Sequence, residues 1–222
     1  MADDLHRRYN MTENIEVITH SSICIRGIPQ TVYIDPFDIK EDRHDADYVM
    51  ITHDHYDHFS PEDIGRVCTK ETVLIVPEKM SAKARKISGM VKRIETVEPG
   101  REYVIDSLRF STVPAYNIMK PFHPKSARWV GYIIQAGEKR IYIAGDTDAT
   151  KEAGEVRCDV ALVPVGGTYT MDARKAAELI NKIRPQTAIP IHYGSIAGSR
   201  SDGEEFAKHV EAPVRVELKL QF

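Results

Sequence analysis

The sequence has few cysteines and no long apolar run. Its three cysteines, at positions 24, 68 and 158 of 222 residues, are widely spaced and odd in number. That arrangement excludes a disulfide framework and a cysteine-rich zinc module. The longest apolar runs are also far shorter than the roughly 18–20 residues that a membrane-spanning helix requires. We therefore expect a soluble protein of a reducing compartment.

The sequence also lacks an excess of basic residues and a secretory leader. It has 30 Lys and Arg against 33 Asp and Glu, for a formal net charge of −3. This balance excludes a broadly basic nucleic-acid binder and gives no reason to expect attraction to an anionic membrane. The first ten residues are charged and have no apolar core of the kind that a signal peptide needs. We expect a cytoplasmic protein whose partner is neither a membrane nor nucleic acid, and a homo-oligomer is compatible with the sequence.

No linker, charge block or low-complexity tract divides the chain, so we expect a single domain over residues 1–222. Short β-favouring runs dominate the first half, and the second half alternates strands with helices predicted over 172–184 and 202–210. Helices are also predicted from Pro61 onward and near 78–88. The pattern is typical of a mixed α/β protein with an inserted β-meander.

Four apolar strands end in a potential metal ligand or acid. The residues that follow these strands are Asp35, His53, Asp146 and His192. Strand ends at one edge of a packed sheet are where loops assemble an active site on a rigid scaffold. Four such endings therefore predict one shared edge that carries the chemistry.

The most informative segment is a histidine-rich run between an apolar strand and a helix start. It places His53, His55, Asp57 and His58 within six residues. Neutral imidazole suits Zn, Fe, Mn and similar ions, and carboxylates add charge compensation and can bridge two ions. If the segment is extended, its first three ligands point to one side, because strand side chains alternate. Four candidate ligands so close together can serve two neighbouring ions.

This H-x-H-x-D-H pattern resembles the signature of the metallo-β-lactamase fold superfamily of metallohydrolases. The chain looks most similar to a small, single-domain branch that includes ascorbate-6-phosphate lactonase. The resemblance implies an α/β fold with four layers, in which two mixed β-sheets are flanked by helices. It also implies a hydrolase that uses a metal-bound hydroxide to cleave an ester, lactone or phosphodiester bond of a small metabolite. The other matching landmarks are Ile34-Asp35-Pro36, Gly145-Asp146-Thr147 and Pro190-Ile191-His192-Tyr193-Gly194.

The resemblance further implies a role for each matching residue. His53 and His55 would hold the first of two divalent ions, most readily Zn, with Mn or Fe as alternatives. Asp146 would bridge this ion to a second one. The remaining ligands implied for the second ion are Asp57, His58 and His192.

Two carboxylates are the catalytic residues that the resemblance implies. Asp57 would orient the hydroxide or accept its proton, and Asp146 would hold the two ions together. Asp35 would instead lie behind a ligand histidine and orient it through its free ring nitrogen. The sequence leaves open whether one ion or two are bound.

The sequence departs from the family pattern at the first ion. The family usually supplies a third histidine after a mid-chain strand, and here Asn117 occupies that slot. His123, six residues later, is the other candidate for metal or substrate binding, and both alternatives stay open. The same loop carries Lys120, Lys125 and Arg128, which favour a substrate with a phosphate or carboxylate group.

His20 is a further candidate for metal or substrate binding, because related family members carry a histidine near the metal at that place. No comparable feature of the family supports a site role for His6, His44 or His209.

Two alternative functions remain. One is a nucleic-acid-processing phosphodiesterase on the same fold, which the negative charge disfavours. The other is a degenerate, non-catalytic metal-binding member, which Asn117 favours.

Overall fold

The computed structural model describes residues 11–27 and 30–222. The strands in this part of the chain are β1 (Ile15–Thr19), β2 (Ser22–Ile25), β3 (Val32–Ile34), β4 (Tyr48–Met50), β5 (Val73–Pro77), β6 (Arg93–Val97), β7 (Glu102–Ile105), β8 (Leu108–Pro114), β9 (Val130–Ala136), β10 (Lys139–Ile143), β11 (Val160–Pro164), β12 (Thr187–Ile191) and β13 (Arg215–Val216). The α-helices are α1 (Pro61–Val67), α2 (Ser81–Ala84), α3 (Ala173–Ile183) and α4 (Asp202–His209). Short 3-10 helices cover Met11–Asn14, Glu78–Met80, Arg85–Met90, Lys125–Ala127 and Ala153–Glu155.

The strands form two mixed sheets, one from each half of the chain. The first sheet has the order β1-β2-β3-β4-β5-β6, and the second has the order β13-β12-β11-β10-β9-β8-β7. In the first sheet β1 to β3 pair antiparallel and β3 to β6 pair parallel. In the second sheet β7 to β10 pair antiparallel and β10 to β13 pair parallel. Each sheet therefore contains a block of parallel strands whose carboxyl ends lie at one edge.

Alternating side chains of the first sheet enter two different cores. Tyr48 and Met50 of β4 pack in the core shared with the second sheet, whereas Val49 between them packs in the core beneath the helices. In β5, Ile75 and Leu74 divide in the same way. Successive side chains of a strand point to opposite faces, so a strand buried on both faces is a continuous apolar run.

Helices cover the outer face of each sheet, which confirms the four-layer sandwich. α1 is capped by Ser60, whose Oγ accepts from the N–H of Asp63 at 3.3 Å, and its Ile64 packs on the first sheet. α3 is capped by Asp172, whose carboxylate accepts from the N–H of Lys175 at 2.9 Å. The apolar stripe of α3 joins the core of the second sheet.

The helix predicted near 78–88 is interrupted. Only the short α2 is α-helical, and 3-10 segments lie on both sides of it. Ala84 and Ile87 are buried three residues apart, a spacing that suits a 3-10 helix because residues three apart eclipse there. Within residues 11–27 and 30–222, none of the helices is long and apolar enough to cross a membrane.

The carboxyl ends of the strands bring the predicted site residues together. β3 ends directly before Asp35, and β4 ends three residues before His53. In the second sheet, β10 ends three residues before Asp146, and β12 ends directly before His192. Asp146 Oδ1 lies 3.4 Å from Nε2 of His58 in the first-sheet loop, so the edges of the two sheets meet as the four strand endings predict.

Candidate metal centre

The histidine-rich loop after β4 turns sharply instead of running extended. The backbone N–H groups of His58 and Phe59 both donate to the carbonyl of His55, at 3.1 and 2.8 Å. This turn separates His53 and His55 from Asp57, which lies in a different cluster of potential ligands. The condition under which all three would point to one side, an extended loop, is therefore not met.

Three imidazoles form the first donor group: His53, His55 and His123. Their nearest ligand atoms lie within 4.8 Å of one another. The indole ring of Trp129 packs against all three, with ring centroids 5.1, 5.1 and 5.6 Å away. His53 and His123 are buried, whereas His55 is half-buried. The first donor group therefore opens toward solvent at His55.

Asn117 positions His123 instead of taking its place. The side-chain amide of Asn117 donates to the carbonyl of Tyr169 at 3.0 Å, which leaves its Oδ1 facing Nδ1 of His123 at 3.0 Å. The backbone N–H of Asn117 also donates to the carbonyl of His123, at 2.7 Å. An acceptor at Nδ1 fixes the proton there and leaves Nε2 free as a ligand atom. Of the two alternatives that the sequence left open, the geometry favours His123 as the third imidazole.

Four further residues form the second donor group: His20, Asp57, His58 and His192. Oδ2 of Asp57 lies 3.2 Å from Nε2 of His20, 3.4 Å from Nε2 of His58 and 3.8 Å from Nε2 of His192. The backbone N–H of His192 donates to the carbonyl of His20 at 2.9 Å. All four side chains are buried. His20, which the sequence offered only as a candidate, thus lies inside the cluster.

Asp146 lies between the two donor groups. Its Oδ2 is 3.3 Å from Nε2 of His123 in the first group and 3.0 Å from Nε2 of His192 in the second. Its Oδ1 is 3.4 Å from Nε2 of His58. One buried carboxylate therefore faces imidazoles on both sides.

Asp35 lies behind this cluster and orients the side chains in front of it. Its carboxylate accepts from the backbone N–H and the hydroxyl of Thr52, at 2.7 and 2.5 Å. It also lies 2.7 Å from Nδ1 of His58. Thr52 in turn places its hydroxyl 3.0 Å from Nδ1 of His53. The Asp35 carboxylate and the Thr52 hydroxyl therefore hold one imidazole of each donor group with Nε2 facing inward.

Burial and the clustered charges shift the pKa values of the centre in opposite directions. Burial lowers the pKa of His53 well below its ordinary value and that of His20 to about 4. Burial alone would lower the pKa of His58 too, but the carboxylates of Asp146 and Asp35 raise it well above its ordinary value. Burial would raise the pKa of Asp146, yet the attraction of His192 and His58 holds it well below its usual range. Burial thus favours the neutral form of His53 and His20, the form that metal ligands require, whereas without a bound ion the nearby carboxylates favour the charged form of His58.

Several buried atoms that face the middle of the cluster have no well-oriented hydrogen-bond partner. Buried polar atoms are normally paired, so each exception calls for an unseen water or ion. These atoms belong to imidazoles and a carboxylate, the donor set that Zn, Mn and Fe accept. The residues therefore fit the divalent ions that the resemblance implies. The atoms without such a partner are Nε2 of His20, His58, His123 and His192, and Oδ1 of Asp146.

Three side chains of the centre are attached to strained backbone. His20, Asp35 and His192 have φ values of 46, 47 and 58°, in the left-handed region that residues other than glycine rarely adopt. Such conformations cost on the order of 1–3 kcal/mol each and cluster at functional sites. Gly145, directly before Asp146, has a φ of 65°, and a Cβ there would lie 3.1 Å from Thr52 Cβ. The backbone is thus bent where it presents ligands.

The basic residues of the loop after β8 are paired with carboxylates. Lys120 pairs with Asp148 at 2.9 Å, and Lys125 pairs with Glu152 at 2.9 Å. Arg128 likewise reaches a carboxylate oxygen of Glu98, at 2.6 Å. The loop therefore presents no free cation for a phosphate or carboxylate group, contrary to the expectation from its composition.

The remaining histidines lie away from the centre. His44 Nδ1 is 3.0 Å from the carbonyl of Cys68, and His209 Nε2 is 2.9 Å from Glu205. His6 lies outside the described residues.

Sequence reasoning missed Trp129 and Thr52, which contact the donor groups. Thr52 could have been found because it directly precedes the motif, whereas no sequence signal marked Trp129 beyond its being the single tryptophan.

Comparisons with known proteins agree with the fold described above. The family model described as Beta-lactamase superfamily domain matches residues 14–192. The chain belongs to this family, as the H-x-H-x-D-H pattern predicted.

Relatives that align with this chain over most of their own length support the assignment. A UPF0173 protein of Pyrococcus furiosus is 34% identical over 197 residues, which cover 86% of this chain and 88% of the relative. A UPF0173 metal-dependent hydrolase of Aeropyrum pernix is 35% identical over 185 residues, which cover 75% of this chain and 73% of the relative. The solved structure of Igni18, a metallo hydrolase from Ignicoccus hospitalis, is 25% identical and has a TM-score of 0.74. That alignment covers 92% of this chain and 93% of Igni18.

Proposed function

We propose that the protein is a metal-dependent hydrolase with a binuclear centre for divalent ions, Zn first among them. The observation that carries the proposal is the position of Asp146, whose carboxylate lies 3.3 Å from His123 in one donor group and 3.0 Å from His192 in the other. Buried atoms on both sides of this carboxylate lack oriented partners, and bound cations would satisfy them. The names of the Aeropyrum pernix relative and of Igni18 support the hydrolase class.

Each donor group serves one ion in this proposal, and Asp146 is common to both. His53, His55 and His123 would hold the first ion. Asp57, His58 and His192 would hold the second, with His20 beside them as an additional donor.

The side chains around the ligands hold their geometry. Asn117 fixes the tautomer of His123 through Nδ1, and Asp35 does the same for His58. Partners of this kind set the ring orientation and raise the basicity of the ligand nitrogen. The reason for a degenerate, non-catalytic protein was the asparagine at position 117, and that reason is removed because His123 supplies the third imidazole.

The reaction that this arrangement favours is hydrolysis of an ester, lactone or phosphodiester bond in a small molecule. Bound ions would lower the pKa of water to about 7 and polarise the scissile carbonyl or phosphoryl oxygen. Asp57 accepts a hydrogen bond from the attacking water and orients it toward the substrate. Asp57 and Asp146 are therefore the catalytic residues that we propose.

The proposal is tested by metal analysis of protein purified without added metal, together with hydrolysis of a chromogenic phosphodiester and a panel of lactones. We expect two ions per chain in the unaltered protein. His55→Ala and Asp146→Ala should each lose metal, and their hydrolysis should fall by about a thousandfold or more, because several kcal/mol of charge stabilisation are lost. His209→Ala, which alters a histidine outside the centre, should retain both properties.

Two results would contradict the proposal. One is a protein that binds no metal after reconstitution with Zn, Mn and Fe. The other is full hydrolysis by Asp146→Ala, since that variant lacks the carboxylate between the donor groups.

A further inference from the structure

The short segment between Asn117 and His123 exposes an unusual amount of apolar surface. Ile118 is 60% exposed, Met119 is 90% exposed and Phe122 is 42% exposed. Single exposed apolar residues are ordinary, but several in one place mark a binding site or an interface. These three lie within five residues of chain.

The segment is fixed beside the metal centre. The backbone N–H of Ile118 donates to Oδ2 of Asp148 at 2.9 Å, and Lys120 donates to Oδ1 of the same carboxylate at 2.9 Å. Asp148 follows Asp146 by two residues. At the other end of the segment, the Phe122 ring packs edge-on against Tyr169 at 4.8 Å. Contacts at both ends therefore hold the exposed side chains next to the first donor group.

A further aromatic side chain flanks the opening of the first donor group. That group opens to solvent at His55, and the half-buried ring of Trp129 lies 5.1 Å from the ring of His55. We call Ile118, Met119, Phe122 and Trp129 the apolar rim.

The charges around the apolar rim do not favour an anionic ligand. The nearby cations Lys120, Lys125 and Arg128 are each within 2.9 Å of a protein carboxylate. These paired side chains offer little to a substrate phosphate or carboxylate, whose neutralisation would fall to the bound ions. The rim itself favours an apolar group, and an aromatic group gains further from contact with other aromatic rings.

We propose that the substrate carries an apolar group, preferably aromatic, and that the apolar rim binds this group beside the scissile bond. This inference rests on the proposed function and names its substrate class.

The test uses the single tryptophan of the chain, Trp129, as a fluorescence reporter at the rim. Three non-substrate probes are titrated into the purified protein: phenylacetamide, acetamide and the anionic succinamate. We expect phenylacetamide to quench Trp129 with a Kd about tenfold or more below that of the other two, because only its phenyl ring buries apolar surface. The readout is binding, so it stands apart from the loss of metal or hydrolysis that tests the proposed function.

A matched pair of variants locates the effect. Ile118→Ser/Met119→Ser removes two rim side chains and should weaken phenylacetamide binding by about threefold to tenfold, with metal content unchanged. Met90→Ser/Val104→Ser removes two apolar side chains that are also exposed, 40% and 60%, but lie away from the rim, and should bind as the unaltered protein does. Equal affinity for all three probes would overturn the proposal, as would a rim variant with unchanged affinity. A dimer in sedimentation that only the rim variant dissociates, with probe affinity unchanged, would also overturn it and assign the surface to a second copy of the chain.

Discussion

The two halves of the molecule supply metal donors in different ways. Apart from His20 between β1 and β2, the first sheet contributes its donors from one loop after β4: His53, His55, Asp57 and His58. The second sheet contributes single donors after three different strands, β8, β10 and β12, which all run in the same direction. The first set is therefore arranged by one turn of the backbone, whereas the second depends on the register of a whole sheet.

The charge environments of the two sets differ as well. His58 of the first half contacts three carboxylates, those of Asp35, Asp57 and Asp146. His123 of the second half lies against one of these carboxylates, that of Asp146, and against the neutral amide of Asn117. The first-half loop thus places its histidine among several buried carboxylates, while the second-half loop places its histidine against one carboxylate and a neutral amide. The two kinds of histidine should respond differently to removal.

The largest expected effect is a loss of unfolding free energy when His58 is replaced by alanine. His58→Ala leaves buried carboxylates without a counter-charge, and breaking a buried pair in this way costs about 3–5 kcal/mol. Urea unfolding of the metal-free protein should show this loss. His209→Ala, at a surface ion pair, should stay within about 0.5 kcal/mol of the unaltered protein. A His58→Ala protein as stable as His209→Ala would show that His58 does not offset the buried negative charge.

A smaller but more specific effect is expected when one ligand of each donor group is removed. His123→Ala should keep the second ion, and His192→Ala should keep the first, so metal analysis should give one ion per chain for both variants. Hydrolysis should fall by about a hundredfold or more in each, since two-ion catalysis needs both sites. Loss of both ions from either variant would show that the two donor groups bind metal as one unit.

The smallest of these effects is expected at Asn117. Asn117→Ala removes the acceptor on Nδ1 of His123, and loss of such a partner weakens metal affinity by about 10–100-fold. Competition with a chelator should measure this change at the first ion, with full occupancy regained at high metal concentration. Asn117→Asp keeps an acceptor and should recover most of the affinity. Complete loss of the first ion from Asn117→Ala would instead make Asn117 a ligand.

The contrast between the halves also explains what the sequence could predict. The first-half ligands were predictable because they are adjacent in sequence and lie between an apolar strand and a capped helix. Asp146 and His192 were predictable because each follows a short buried strand, where carboxyl ends share an edge. The strand bounds of β1, β7, β8 and β12 follow from apolar runs bounded by turn residues.

Other features depend on contacts that no local pattern encodes. The geometry that favours His123 over Asn117 depends on a hydrogen bond from Asn117 to the carbonyl of Tyr169, 52 residues away. The turn at His55, which divides the motif between two groups, depends on backbone hydrogen bonds that the residue types did not predict. The composition of the basic loop favours an anionic substrate, but its three cations are paired with carboxylates that are distant in sequence. These carboxylates are Asp148, Glu152 and Glu98.

The left-handed backbone at His20, Asp35 and His192 has a consequence for engineering. Glycine at any of these positions would relieve conformational strain of about 1–3 kcal/mol, so a search guided by backbone strain alone would favour it. The same change would delete a buried side chain that is paired within the metal centre, and the loss of such a pair costs as much or more. Backbone geometry and side-chain chemistry therefore make opposite demands at these three positions, and a thermostabilised variant should keep all three unchanged.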